Sequence, residues 1–547
     1  MTARIFRFLF GTIIALTTST LLLGMQIPVP VQADGIVTDC SNDTQLSNQI
    51  VLGGTITFNC GSGPHIIILS STKNINSDTS LQGGGLITLS GANALSLFQV
   101  SVNQTLSLSD ITLTKGKDTA GGAIQNFGTL VITNTQIVSN TATDSGGAIY
   151  NSGQMMISHS IIADNVATNN GGGIYDTGGQ ITMTASQVYG NLALFGGGMQ
   201  LGGTATILSS QIHDNTSAGG SGGIFAVSTA QLTVSNSQVS SNTSTNGHGG
   251  GIRSDGILAV TNSTFSHNRA LGGLDGGAID NLGQASLSDT TIYSNVATET
   301  GGGIFNGGSL SVTNSTLSEN FGYQGGALGN YGIMTLTGVS LVNNVGQFGG
   351  GLYNTIGAAA LTNVTISGNH AVPDGFNHGG LGGGIFDGYP DGNGIVYLTN
   401  VSIVNNSATK NGGGLYFTTP NTATLTNSIV AYSPAGDNCY GSTFPSPLTV
   451  ASDGFNLSSD NTCTLFGTRD QLNTDPLLAR LAYYGGPTLT HLPLLGSPAL
   501  DNAQCLLGVP TDQRGIVRPQ GSSCDIGSVE RQASDRGYWV FAPFIVR

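Results

Sequence analysis

The chain has 547 residues, of which 38 % are apolar and 8 % charged, with 84 glycines and a formal net charge of −14. A soluble globular domain usually has about a quarter of its residues charged, so this surface must be coated with hydroxyls and amides, while the apolar content and regular aliphatic spacing exclude disorder. The acidic balance excludes binding to nucleic acid or to an anionic lipid surface, both of which need clustered Lys and Arg.

Residues 1–33 read as a secretory signal: Arg4 and Arg7, an apolar run from Phe8 to about Leu23, and the small-residue site "VQA" ending at Ala33. An uncleaved anchor is the alternative, but Thr17, Thr18, Ser19 and Thr20 interrupt the run, and a spanning helix needs about 20 apolar residues. Loss of Arg4 and Arg7 takes the charge from −14 to −16, because no acid precedes Asp34. Residues 34–120 then read as an N-terminal cap and the first turns of a repeat.

From 121 to 430 the chain repeats itself. The aliphatic residue after each Gly pair falls at Ile124, Ile149, Ile174, Met199, Ile224, Ile252, Ile279, Ile304, Leu328, Leu352, Ile385 and Leu415, in steps of 25, 25, 25, 25, 28, 27, 25, 24, 24, 33 and 30. An Asn three places after an aliphatic or aromatic residue keeps the same period at Asn140, Asn165, Asn191, Asn215, Asn242, Asn268, Asn295, Asn320, Asn344, Asn369 and Asn406. Two independent markers with one period specify a repeat architecture.

The local period is two. In "GTLVITNTQIVSN", Leu130 and Ile132 share one side, and Ile137 resumes it after a turn at Asn134. Short β-branched runs ended by Asn and Gly are strands, and the long 3.6-period stretches of a helical repeat are missing. Three short strands in about 25 residues describe one rung of a parallel β-helix, and twelve rungs at about 4.8 Å make a rod roughly 58 Å long. The Gly pairs allow close backbone approach where corners stack, and the Asn side chains are expected to form an amide ladder along the rod.

Six cysteines, an even number in an exported chain, form three local pairs outside the repeats: Cys40 with Cys60, Cys439 with Cys463, and Cys505 with Cys524. An oxidising compartment makes disulfides the expectation over metal ligation, since neither a CxxC spacing nor a neighbouring His is present. Residues 431–530 read as a disulfide-stapled C-terminal cap. Its charges, Asp512, Arg514, Arg518, Asp525 and Glu530, are read as salt bridges, with a catalytic cluster as the alternative. Residues 531–547 form an apolar tail, whose "YWVFAPFIVR" is either a sorting or anchoring signal or a strand packed on the cap.

The motif "GGA[ILV]" alternating with an aliphatic or Phe, two residues and Asn, as in "FSHN" (Phe265 to Asn268), resembles the repeats of chlamydial polymorphic outer-membrane proteins. Those end in an outer-membrane barrel, whose alternating ten-residue strands are missing from the last 117 residues, so self-translocation is not expected. The stretches "HLPLLGSPALDNAQC" and "TDQRGIVRPQGSSCDIGSVE", with "GFNLSSDNTC" and "GGTITFNCG", are similar to bacterial secreted β-helix proteins with a choice-of-anchor Q module. These resemblances imply an all-β, single-stranded right-handed parallel β-helix of the pectate-lyase type, displayed outside the cell and without an assigned activity.

Catalysis has few places to reside. "GHGG" around His248 resembles the Gly-His-Gly of polygalacturonases, but the clustered aspartates and Arg-Lys pair of that family do not accompany it. A lyase needs a base and carboxylates for Ca²⁺, and of the three basic residues in the repeats (Arg253, Arg269 and Lys410) only Arg253 lies near acids, namely Asp255, Asp275 and Asp280. Acids do not recur in register, which excludes a Ca²⁺-binding nonapeptide repeat and leaves an isolated ion site open. The residue after the aliphatic marker is aromatic at Tyr150, Tyr175, Phe225, Phe305, Tyr353, Phe386 and Tyr416. Alternation points it outward, so these rings form either a sugar- or partner-binding stripe or a structural ladder.

The expectation is a monomeric extracellular or cell-surface protein without a cofactor, acting by adhesion or by binding polysaccharide or a surface protein. A polysaccharide lyase or hydrolase and a passive structural component are the alternatives. The insertions that stretch two late steps, including His370 to Gly394, mark the edge where a binding site is expected first.

Overall fold

The computed structural model describes residues 35–273, 275–388, 393–418, 422–442 and 450–537. Residues 1–33, read from sequence as a secretory signal, and the tail Tyr538 to Arg547 lie outside the described residues.

The chain is an all-β parallel solenoid. Its strands stack on copies of themselves one repeat away, as the 25-residue period requires: Ile149 pairs with Ile124 on one side and Ile174 on the other. The rung around Ile149 contains the strands Ile149–Asn151, Gln154–Ser158, Ile161–Ala163 and Val166–Ala167. That is four strands where the alternation predicts three. The reason is local: His159 at φ 50° bends one extended stretch into two, as Asn134 at φ 47° does one rung earlier. Stacked, the rungs build sheets of 15, 31 and 12 strands, the largest holding both halves of the bent stretch. At about 4.8 Å per rung the 15-stranded face is about 70 Å long.

The interior is aliphatic. Ile149, Met155, Ile157 and Ile162 are each at most 1 % exposed, and equivalent residues from Val37 to Leu465 form one continuous cluster along the rod. Its N-terminal end is closed by a short helix, Thr44–Leu52, which buries Leu46 and Ile50.

The Gly pair has two distinct duties. Gly146 adopts φ 68°, a left-handed conformation that costs glycine least. Gly147 has an ordinary φ, but a Cβ there would stand 2.1 Å from the carbonyl oxygen of Gly172 in the next rung. Only glycine lets the corners approach at the spacing that the strands demand.

The asparagines form the expected ladder, and its hydrogen bonding is complete. Asn242 Nδ2 donates to Asn268 Oδ1 at 3.0 Å and to the carbonyl of Ile212 at 2.8 Å, while its Oδ1 accepts from Asn215 Nδ2 at 3.0 Å and from the Asn215 backbone N–H at 3.1 Å. The pattern runs from Asn140 to Asn406, all at most 1 % exposed. A second ladder, not anticipated from the sequence, occupies the position two after the aliphatic marker. Asn126 donates to Asn151 and Asn151 to Asp176, each at 2.7 Å. Further along, Asn281, Asn306, Asn330 and Asn354 donate in turn, the last to Asp387 at 2.9 Å. Aspartate ends each run because a carboxyl group has no amide N–H pair to pass to the next rung.

All three cysteine pairs are disulfides, with Cα–Cα distances of 5.9, 4.7 and 5.2 Å. Cys439–Cys463 closes the last turn, where Cys463 and Leu465 cover the end of the core. From about residue 476 the C-terminal module also turns back along the flank of the last rungs. Ser340 Oγ donates to the carbonyl of Leu489 at 2.6 Å, Thr365 Oγ1 to Gln513 Oε1 at 2.7 Å, and the Ser528 backbone N–H to Ser402 Oγ at 3.0 Å. Under it the strands Ser340–Val342, Thr365–Ser367 and Ser402–Val404 are buried at every residue. In the uncovered strand Gln136–Val138, only Ile137 is buried. Of the charges expected to pair, Arg514 meets Asp512 and Asp535, and Arg518 meets Glu530 at 3.1 Å, whereas Asp525 accepts the backbone amides of Asp501 and Arg531 instead of a cation.

Two substitutions test this account. Gly147→Ala should lower the unfolding free energy by about 1–3 kcal/mol, the usual cost of overpacking, whereas Gly63→Ala, where a Cβ meets nothing within 4 Å, should leave it unchanged in the same urea titration. Asn242→Ala strands the amide of Asn215 and the carbonyl of Ile212, so a loss of roughly 3 kcal/mol is expected; a loss below about 0.5 kcal/mol would show that the ladder contributes little.

Candidate functional site

The residue after each aliphatic marker forms a column on the 15-stranded face. In register it reads Gln125, Tyr150, Tyr175, Gln200, Phe225, Arg253, Asp280, Phe305, Gly329, Tyr353, Phe386, Tyr416 and Tyr440. The seven aromatics are therefore stacked in one line, as the alternation predicts, but they fall into two groups.

Tyr150, Tyr175, Phe225 and Phe305 are half-buried, with Tyr150 and Tyr175 edge to face at 5.8 Å. The late group is covered: Tyr353, Phe386 and Tyr416 are 2, 5 and 8 % exposed. Their rings lie nearly parallel at 5.3 and 5.0 Å, and the stack continues to Tyr440 at 5.4 Å. Phe348 and Leu381 pack over them, Phe348 edge-on to Phe386 at 5.3 Å. Leu381 pairs in register with Phe348 and with Asn411, four residues before the aliphatic marker, so the cover comes from large side chains at that repeated position on the neighbouring face. Pointing away from the core is not exposure when a neighbouring face supplies a cover, and the expected binding surface loses Tyr353, Phe386 and Tyr416.

Between Phe225 and Phe305 the column changes character. Arg253 Nε donates to Asp255 Oδ1 at 3.0 Å and lies 3.8 Å from Asp280 Oδ2, and its guanidinium carbon sits 5.3 Å from the Phe225 ring centroid. His248 Nδ1 is 3.7 Å from Asp275 Oδ2 and 3.9 Å from Asp280 Oδ2. Asp275 accepts the Thr300 amide at 3.0 Å. His248 and Arg253, named from sequence as candidates, are thus brought together with all three nearby acids, in a chain where charge is scarce.

Asp280 lies at the base of the cluster. It is 1 % exposed, and neither of its carboxyl oxygens has a hydrogen-bond partner among the described residues. Burial, only partly offset by Arg253, pushes its pKa up to about 8. Burial also raises Asp275 and, together with the Asp275 charge, Glu299. It lowers His248, an effect to which Arg253 adds, so the imidazole is neutral at pH 7. Sequence reasoning placed Asp280 near Arg253 but missed that it is the buried member. The available signal was the pair Arg253 and Asp280 at column positions otherwise taken by rings, glutamine or glycine. Among the described residues, no group of three or more His, Cys, Asp or Glu side chains is placed to hold a metal ion.

A family model for the Chlamydia polymorphic membrane protein repeat matches residues 134–152 and 400–418. Both segments span the corner after the bent strand, the ladder Asn and the Gly pair. Searches of curated proteins and of solved structures found no match.

The Asp280 environment sets a pH dependence. Its folded pKa lies above the unfolded value of 3.8, so its contribution is fully present below pH 4 and is lost as pH rises toward 8, by at most about 1.4 kcal/mol per unit. Asp280→Asn should therefore stabilise the protein more at pH 8 than at pH 5 in urea titrations; an equal effect at both would rule out a buried proton.

Proposed function

We propose that this chain is an adhesin-like protein of the cell exterior, which binds polysaccharide or a surface protein through the flank of its solenoid and does not turn its ligand over. The observation that carries this reading is the pair of matches to a repeat of surface membrane proteins, on a rod whose outer faces are rows of Ser, Thr, Asn and Gln. Three disulfides fit an oxidising compartment. A rigid rod about 70 Å long suits display of a binding face away from an attachment point, and the terminal tail is a reasonable attachment point.

A second reading, a polysaccharide lyase or hydrolase, draws its support from the ionisable cluster around Arg253. It is the weaker one because Asp280, the acid that holds a proton at neutral pH, has both oxygens sealed from solvent and could not reach a glycosidic oxygen. General acid catalysis needs the donor within hydrogen-bond reach of the reacting group.

Fractionation of expressing cells, with surface protease accessibility and a glycan array on the exported chain, tests the proposal. Export, surface exposure and saturable binding are expected, with neither reducing ends nor unsaturated products formed. Turnover abolished by Arg253→Ala or His248→Ala would establish the enzyme instead, and attachment to cells without any binding would favour a passive structural role.

A further inference from the structure

The geometry points to a binding site for the carboxylate of an acidic sugar at Arg253 and His248, in the break between Phe225 and Phe305. It rests on the surface-binding reading and names the ligand class for one position on that surface.

The first observation is how Arg253 is held. Asp255 takes Nε at 3.0 Å and the Phe225 ring lies against the guanidinium carbon, so the side chain is fixed at its stem. No hydrogen bond joins either terminal nitrogen to a described residue, and the side chain is 22 % exposed. A planar fork already oriented and open at its tip matches a carboxylate bidentately, with little ordering cost left on binding. His248 is 33 % exposed, with Nδ1 turned inward to Asp275 and Asp280, which leaves Nε2 on the opposite side of the ring.

The second observation is Asp280, unpartnered by hydrogen bonds and sealed beneath Arg253 and His248. Held neutral at pH 7, it fixes the floor of the site without cancelling the Arg253 charge. Asp255 then opposes Arg253 directly, and Asp275 and Glu299 are the other acids facing the site.

A glycan is favoured over an acidic peptide by what surrounds the cluster. The strand Ile252–Ser254 is paired on both edges, so it offers no edge for an added peptide strand. The half-buried rings of Phe225 and Phe305 flank the charged break, and together with hydroxyl and amide rows they suit a sugar ring, which has an apolar face and a polar rim.

Calorimetric titration of the exported chain with tetragalacturonate, its carboxyl-reduced counterpart and polyglutamate tests the site. The acidic sugar should bind at least tenfold tighter than the reduced one at pH 6.5. Arg253→Gln should abolish that preference, Arg253→Lys should weaken it, and Arg269→Gln, on the 12-stranded face, should preserve it. Affinity should fall between pH 6 and 9 as Asp280 ionises beside Arg253, and Asp280→Asn should flatten that fall. Circular dichroism checks folding; if Arg253→Gln unfolds the chain, His248→Gln takes its place, with at least a threefold loss expected. Equal affinity for the reduced sugar, no effect of either variant, or a preference for polyglutamate overturns the inference. Binding of neutral glycans without a carboxylate preference removes this site and leaves the surface-binding reading standing, whereas no binding to any glycan or to cells removes both.

Discussion

Everything in this molecule depends on stacking one rung on the next at the spacing of a backbone hydrogen bond. A solenoid of this kind has no layer in which a buried polar group can be solvated, so each corner must satisfy its own donors and acceptors through the corners above and below. The Asn ladder does this. From Asn165 to Asn369 each amide gives one N–H to the next rung's side-chain oxygen and the other to a carbonyl, and it receives two bonds in return, as at Asn242. The glycine corners are the steric counterpart, because a Cβ at Gly147 would occupy the place of the next rung's carbonyl.

The same constraint explains why function is hard to find along the repeats. Strand pairing brings like residues together, so a side chain that departs from its column meets neighbours chosen for something else. Arg253 and Asp280 are adjacent in register where rings stand above and below, and the outcome is a charged break in an otherwise uncharged column. A repeat lets one short segment be altered while the rungs on either side keep the backbone in place, which is how a rigid rod can carry a local site.

The C-terminal module illustrates how side-chain size along a column prepares a surface. The column that holds Gln136, Gln187, Gln211 and Gln238 becomes Ser340, Thr365 and Ser402 in the late rungs, where the returning chain lies against them through Gln513 and Ser528. Long amides keep the early flank open to water; small hydroxyls let the late flank accept another layer of chain. That shift is visible in the sequence, but its meaning depends on knowing that residues some 150 positions later come back to the same place.

Two periodic markers were enough to specify the architecture, because periodicity is a property of the chain itself: the Gly pair and the Asn recur at the rung length, and local alternation puts Leu130, Ile132 and Ile137 inside. The disulfide pairs were legible for the same reason, each being local and outside the repeats. Beyond that, the sequence determined which side of a strand a residue faces, but not whether that side is covered. Tyr353, Phe386 and Tyr416 carry the same pattern as Tyr150 and Tyr175, yet they are buried because Phe348 and Leu381 come over them from another face. Asp280 looks like any surface acid in its rung, and only the packing of rung on rung places it, without a hydrogen bond, beneath His248 and Arg253. Exposure, and with it ionisation and access to a ligand, depends on neighbours distant in sequence, so tertiary structure alone could decide it.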